Sequence, residues 1–278
     1  MYFTKMHGLG NDYIYVNNIA EHIREPQKLA VRLSDRHFGV GADGLILIQS
    51  SQKADYKMTV YNADGSRAEM CGNGIRCVAK YIYDQGMTKK KELSVETQAG
   101  IRRLWIETDE TDRVLRVKVD MGYPILQADK IPVISEHTRV IQEPITIRHM
   151  EYRMTGVSMG NPHAVVWVPD IRRVDLAQIG PEFEYHGRFP KRVNVEFAQV
   201  TDREHVTVRV WERGAGETLA CGTGACATVV AGVLNDLTER RVTIKLKGGE
   251  LSVLWDESDG KVYMTGPAVT VYDGIVTL

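Results

Sequence analysis

Hydrophobic positions along the chain fall in short runs of β-branched, aliphatic and aromatic residues bounded by Gly, Pro, Asn, Asp or Ser. This pattern predicts strands over residues 12–16, 45–49, 56–61, 93–97 and 101–107, and again over 153–158, 164–168, 193–198, 206–211, 242–247 and 251–255. Helices interrupt them. One is expected to begin at Pro26, where proline suits the first helical turn, with Leu29, Leu33 and Val40 as apolar positions until Gly39 and Gly41 stop it. Another carries Ile75, Val78, Ala79 and Ile82 at i, i+3, i+4 and i+7, and the same spacing returns in Cys226, Val229, Val230 and Val233. Each of these two helices has a broad apolar stripe and lies amid strands, so a curved sheet wrapped around it is expected.

The recurrence belongs to a longer repeat. At a shift of 150 residues Gly10-Asn11 falls on Gly160-Asn161, and Val60-Tyr61-Asn62 on Val210-Trp211-Glu212. In the same register Cys71-Gly72-Asn73-Gly74 falls on Cys221-Gly222-Thr223-Gly224, and Leu104-Trp105 on Leu254-Trp255. Chance likeness between Gly-rich loops would not hold one offset across a Trp, a Cys and a Gly-Asn pair, so the chain reads as an internal duplication. The register ends where Met121-Gly122 corresponds to Thr265-Gly266 after a six-residue shortening. The expected class is α/β (α+β): two pseudo-symmetric domains, 1–117 and 118–265, each a curved, mostly antiparallel sheet around a central helix, with the active site in the cleft between them.

Composition narrows the function. Lys plus Arg is 35 and Asp plus Glu is 36, a net charge of -1, so the whole chain has no electrostatic attraction to phosphate backbones or anionic membranes. Neither nucleic acid nor membrane is an expected partner. No apolar run approaches the ~18 residues that span a bilayer, and the first ten residues lack the charged start and apolar stretch of a signal peptide. A cytoplasmic location is expected. In that compartment the four cysteines are poor material for a disulfide framework, and each is a candidate for chemistry.

Two of them stand out. Cys71 and Cys221 sit at the entrance of the two central helices, each before a Gly-x-Gly. A helix start exposes N–H groups and the positive end of the dipole, which favours a thiolate and binds a carboxylate. The glycines let a ligand approach the backbone, and Asn73 and Thr223 can add side-chain hydrogen bonds. Two thiols at equivalent repeat positions suit stereochemical inversion: one thiolate removes a proton from a chiral carbon and the opposite thiol delivers another to its other face. Hydrolysis would instead need one cysteine with a dedicated histidine and an orienting residue. The α-proton of an amino acid is far less acidic than a thiol, so the carbanionic transition state needs more than the base: paired helix-start amides can stabilise charge spreading into the substrate carboxylate, and a pyridoxal cofactor would serve too. Nothing singles out a Schiff-base lysine. Cys77 and Cys226 lie inside the helices with spacings unlike zinc pairs and read as packing residues, and no metal is expected. Neither Gly-x-Gly completes a dinucleotide fingerprint.

Taken together these strings resemble the diaminopimelate epimerase family over nearly the whole chain. The resemblance rests on His7-Gly8-Leu9-Gly10-Asn11-Asp12, Asn62-Ala63-Asp64-Gly65-Ser66, Met70-Cys71-Gly72-Asn73-Gly74 and Gly160-Asn161-Pro162-His163. It rests also on Arg192-Val193-Asn194-Val195-Glu196, Trp211-Glu212-Arg213-Gly214 and Ala220-Cys221-Gly222-Thr223-Gly224. It implies a cofactor-independent epimerase of lysine and peptidoglycan precursor synthesis that interconverts LL- and meso-2,6-diaminopimelate, with Cys71 and Cys221 as the acid/base pair. It implies substrate contacts from Asn11, Asn62, Asn161, Asn194, Glu212 and Arg213, a grip on the reacting carboxylate by Gly72, Asn73, Gly222 and Thr223, and adjustment of the thiols by His163 and Glu212. Gly44 is not carried over, since glycine has no side chain to bind with. The resemblance further implies a homodimer, and a final segment, 266–278, that crosses back to complete the first domain. A proline racemase-like enzyme and a non-catalytic amino-acid-binding protein are the alternatives.

Overall fold

Strand β1 (Tyr2–Gly8) opens a unit formed by residues 1–120 together with the C-terminal segment from Thr265; the computed structural model describes residues 1–277. The chain reverses at Leu9 and Gly10, both at positive φ (58° and 85°), the geometry a two-residue hairpin needs to match strand twist. It continues as β2 (Asn11–Asn17), antiparallel to β1. After the short α1 (Asn18–Glu21) and α2 (Pro26–Ser34) comes β3 (Gly44–Gln49), parallel to β2. Next are β4 (Tyr56–Asn62), antiparallel to β3, the two-residue β5 (Arg67–Ala68) on β4, and the helix α3 (Gly72–Asp84). β6 (Glu92–Thr97) lies parallel to β4, and β7 (Gly100–Thr108) and β8 (Val114–Gly122) extend the ladder antiparallel. Helix α3 packs against β1, β2 and β7, strands from both ends of the ladder, so the sheet curves around it.

The second unit, Met121–Met264, repeats this order. Strands β9 (Glu143–Ile147), β10 (Met150–Ser158) and β11 (Pro162–Trp167) form an antiparallel run. Helix α4 (Leu176–Glu184) then leads to β12 (Asn194–Asp202), parallel to β11. β13 (His205–Glu212) and the short β14 (Gly216–Glu217) precede α5 (Gly222–Leu234), and β15 (Arg241–Leu246) lies parallel to β13 with β16 (Gly249–Trp255) beside it. Helix α5 packs against β10, β11, β12, β15 and β16 and is buried over most of its length, as a helix apolar on nearly every face must be. Phe183 of α4 stacks edge-to-face on Tyr152 and Phe197 at 5.5 and 5.6 Å, closing the core on the other face. The chain leaves through β17 (Val262–Pro267) and re-enters the first unit as β18 (Val269–Ile275), antiparallel to β1.

The two units therefore share one strand order, with parallel pairs at the same two places, and α3 and α5 begin 150 residues apart. That is the pattern of a duplicated α/β unit. One expectation needs correcting. The helix after Pro26 ends at Ser34 and does not reach Val40. Asp35 turns to extended backbone (ψ 124°), and its carboxylate accepts the N–H groups of His37 and Phe38 at 2.7 Å each. This local bond competes with helix continuation and wins. Strand β1 escaped the hydrophobic pattern because Lys5 and His7 interrupt it; Lys5 is buried there and paired with Asp12 at 2.7 Å. Among the described residues no helix is long and apolar enough to cross a membrane.

Candidate active site

In the first unit Cys71 caps α3. Its backbone is extended (φ -133°, ψ 110°) and its sulfur accepts the Gly74 N–H at 3.2 Å, the position an N-cap side chain takes. The thiol also lies 3.3 Å from Asn11 Oδ1, to which it donates. Asn11 is held in turn: its Nδ2 donates to Asp43 Oδ2 at 2.8 Å, and the same carboxylate accepts the Asp12 N–H and an Arg36 guanidinium. Burial alone would push the Asp12 carboxyl up, but hydrogen bonds from Arg36 and Lys5 outweigh it and hold Asp12 below the ordinary range. Tyr13 is buried beside Cys71 and Asn11; burial first, then the charges of Cys71 and Asp43, hold its phenol protonated.

Asn73 lies buried in the first turn of α3, where its Oδ1 accepts Arg76 Nη2 at 2.9 Å. Arg76, itself fully buried, also donates to Gly72 O at 3.0 Å and to Pro267 O at 3.2 Å. Asn62 sits at the end of β4 with its amide turned onto Ser66 Oγ at 3.0 Å. Cys77 is buried in the helix flank, where burial lifts its thiol to about 11, so it stays protonated and packs.

The second unit repeats the cap with different surroundings. Cys221 is buried, extended (φ -113°, ψ 112°), and accepts the Gly224 N–H at 3.3 Å. Thr223 Oγ1 lies 3.4 Å from the sulfur, and Asn161 Nδ2 donates to that hydroxyl at 3.2 Å. Asn161 Oδ1 faces His163 Nε2 at 3.1 Å, and His163 Nδ1 faces Glu196 Oε1 at 2.7 Å. Burial, then the carboxylates of Glu212 and Glu196, push the Cys221 thiol well up, so the neutral thiol prevails at neutral pH. Burial also pushes Glu212 up, against hydrogen bonds from Thr218 and Cys221. Asn194 is buried and spans two backbone groups, donating to Pro162 O at 2.7 Å and accepting the Arg213 N–H at 2.9 Å. Arg213 keeps an exposed guanidinium with one arm on Lys191 O.

Within each unit the structure thus gathers a cysteine, the asparagine that follows the Gly of the repeat, and the helix-start amides. Among the described residues His163 is linked to Cys221 through Asn161 and Thr223. Sequence reasoning passed over Tyr13, Asp43, Thr218 and Glu196. Glu196 left a signal, since Asn194 and Glu196 alternate with Val193, Val195 and Phe197 and so share one strand face with a polar purpose. Asp43 left none. Among the described residues no cluster of three or more His, Cys, Asp or Glu is disposed to hold a metal ion.

A fold of this kind, two copies of a curved sheet around a central helix, defines a structural class. The phenazine biosynthesis protein of the PhzF family from Bacillus anthracis shares it, with a TM-score of 0.70 over 100% of this chain and 99% of that one at 16% identity. Sequence is more specific. The family profile described as diaminopimelate epimerase matches residues 3–126 and 155–271. The diaminopimelate epimerase of Acetivibrio thermocellus is 56% identical over 278 residues, covering 100% of this chain and 99% of the relative. That of Methanococcus maripaludis is 55% identical over 100% of both chains. The chain belongs to the diaminopimelate epimerase family.

Proposed function

We propose that this protein interconverts LL- and meso-2,6-diaminopimelate by two-base proton transfer at the α-carbon, in lysine and peptidoglycan precursor synthesis. The observation that carries the reading is whole-chain identity above half to relatives of that name, joined to two cysteines that cap equivalent helices. In this reading Cys71 and Cys221 act on opposite faces of one substrate carbon. The thiolate takes the α-proton, the C–H electron pair moves into the carboxylate, and the other thiol returns a proton to the opposite face. The two sulfurs have then exchanged protonation states, and the titration belongs to the pair.

The helix-start amides of Gly72, Asn73, Gly222 and Thr223 meet the charge that grows on the carboxylate. Asn11, Asn62, Asn161 and Asn194 can donate to a carboxylate and accept from an ammonium at the non-reacting end, and the Arg213 fork can clamp a carboxylate. Glu212, its carboxyl pushed up beside Cys221, and His163 adjust the thiol.

Incubation with LL-diaminopimelate in deuterated water, followed by proton NMR without added cofactor, is expected to show loss of the α-proton signal as the meso form appears. Binding without exchange would leave an amino-acid-binding protein, and exchange of proline alone would mark a racemase of another substrate. The reading includes a cytoplasmic homodimer. Tyr2, Val271 and Ile275 expose apolar surface on the β1–β18 ladder, the kind of face a second copy would cover. Light scattering is expected to give twice the chain mass, and a monomer at micromolar concentration would remove the dimer from the reading.

A further inference from the structure

The duplication supplies an internal control for the surroundings of Cys221. At the 150-residue shift His163 corresponds to Tyr13 and Glu196 to Ile46. The local packing bears this out: a Cβ placed on Gly224 would meet Glu196 Oε1 at 2.5 Å, and one placed on Gly74 would meet Ile46 Cδ1 at 2.6 Å. The first unit therefore folds with a tyrosine and an isoleucine where the second buries a histidine and a glutamate. The fold does not require the charged pair.

The pair is costly where it stands. His163 and Glu196 are both 0% exposed, and Glu196 Oε2 has no hydrogen-bond partner among the described residues. A buried carboxylate so placed needs a positive neighbour. Both ring nitrogens of His163 face oxygens, Glu196 Oε1 and Asn161 Oδ1, which is the hydrogen-bonding set of an imidazolium. With the ring doubly protonated, each donor in the chain points toward the sulfur: Nε2–H to Asn161, the Asn161 amide N–H to Thr223, and the Thr223 hydroxyl to Cys221. With one proton only, on Nδ1, Nε2 would need a donor. The Asn161 amide would then turn over, its oxygen would take the Thr223 proton, and the sulfur would lose its side-chain donor, keeping only the Gly224 N–H.

We propose that Glu196 is a positioning residue for Cys221: it holds His163 as the imidazolium and so orders the chain through Asn161 and Thr223 that steadies the Cys221 thiolate. This rests on the epimerase reading and names a residue through which one of its two bases is prepared. The carboxyl groups of Glu212 on β13 and Glu196 on β12 act on the thiol, and His163 on β11 stands beyond Asn161 and Thr223. The proton on His163 balances the Glu196 charge that would otherwise oppose ionisation.

The test is Glu196→Gln in the full chain, with Cys221 alkylation by iodoacetamide followed by peptide mass spectrometry across pH. The amide keeps a hydrogen bond to Nδ1 without its charge, so the ring gives up a proton and the net local charge is unchanged. The alkylation limb is expected to move to higher pH, with the rate at pH 8 lower by on the order of tenfold, the scale of losing a supporting group one shell removed. If Glu196 acted only as an unbalanced anion, its removal would move the limb to lower pH; that result, or no movement, overturns the proposal. ¹⁵N NMR of the unaltered protein is expected to show both His163 nitrogens protonated at neutral pH. A neutral ring there overturns the proposal even if the variant fails to fold. Neither measurement uses diaminopimelate, so failure of the exchange experiment and failure of this one are distinguishable.

Discussion

Replacing either Cys71 or Cys221 with alanine is expected to lower turnover of LL-diaminopimelate by about 10³-fold, the scale of removing a positioned acid or base. Each variant should fold. The side chain lost is a helix cap, and sulfur is a weak acceptor, so the cost should not exceed about 1 kcal/mol. Serine separates the two roles. Cys71→Ser and Cys221→Ser keep an acceptor for the Gly74 or Gly224 N–H, and hence the melting temperature, but a hydroxyl is far too weak an acid to cycle as base and donor. Stopped-time NMR of the meso product alongside thermal melts measures both. Full turnover by either single variant would sink the two-thiol mechanism, whatever its stability.

The second large effect concerns Arg76, a fully buried guanidinium that reaches Gly72 O, Asn73 Oδ1 and Pro267 O. Arg76→Leu leaves several acceptors in the interior without their charged donor, and each such group costs about 1–3 kcal/mol. A loss of roughly 3 kcal/mol or more is expected in denaturant titration, with raised KM because Asn73 and the Gly72 carbonyl lose their anchor. Arg76→Lys should recover little, since one ammonium cannot match three acceptors at the positions a planar fork reaches. Unchanged stability in Arg76→Leu would show that the cavity relaxes around the missing fork.

The two helix starts were legible because they are local. A cysteine followed by Gly-x-Gly and an apolar i, i+3, i+4 stripe specifies a capped helix within a dozen residues, and both helices begin where that pattern places them. The 150-residue register was legible for a related reason: duplicated units keep their glycines and aromatics where turns and cores demand them. Asp35 shows the opposite case, a single local carboxylate that ended a helix the apolar spacing would have continued. Lys5 hid a buried strand, because a charge inside β1 is tolerable only with Asp12 beside it, and that partner lies on the neighbouring strand.

The sequence by itself determined the duplicated architecture, the two cysteine-capped helices and the family, since these depend on residue types within a turn or on a constant spacing. Tertiary structure alone decided what surrounds each sulfur. Asp43 reaches Asn11 across 32 positions, Glu196 reaches His163 across 33, and Arg76 reaches Pro267 across 191. Such partners come together through parallel strand pairing and a returning C-terminal strand, and no periodicity of apolar residues records which polar side chains will then share one buried face.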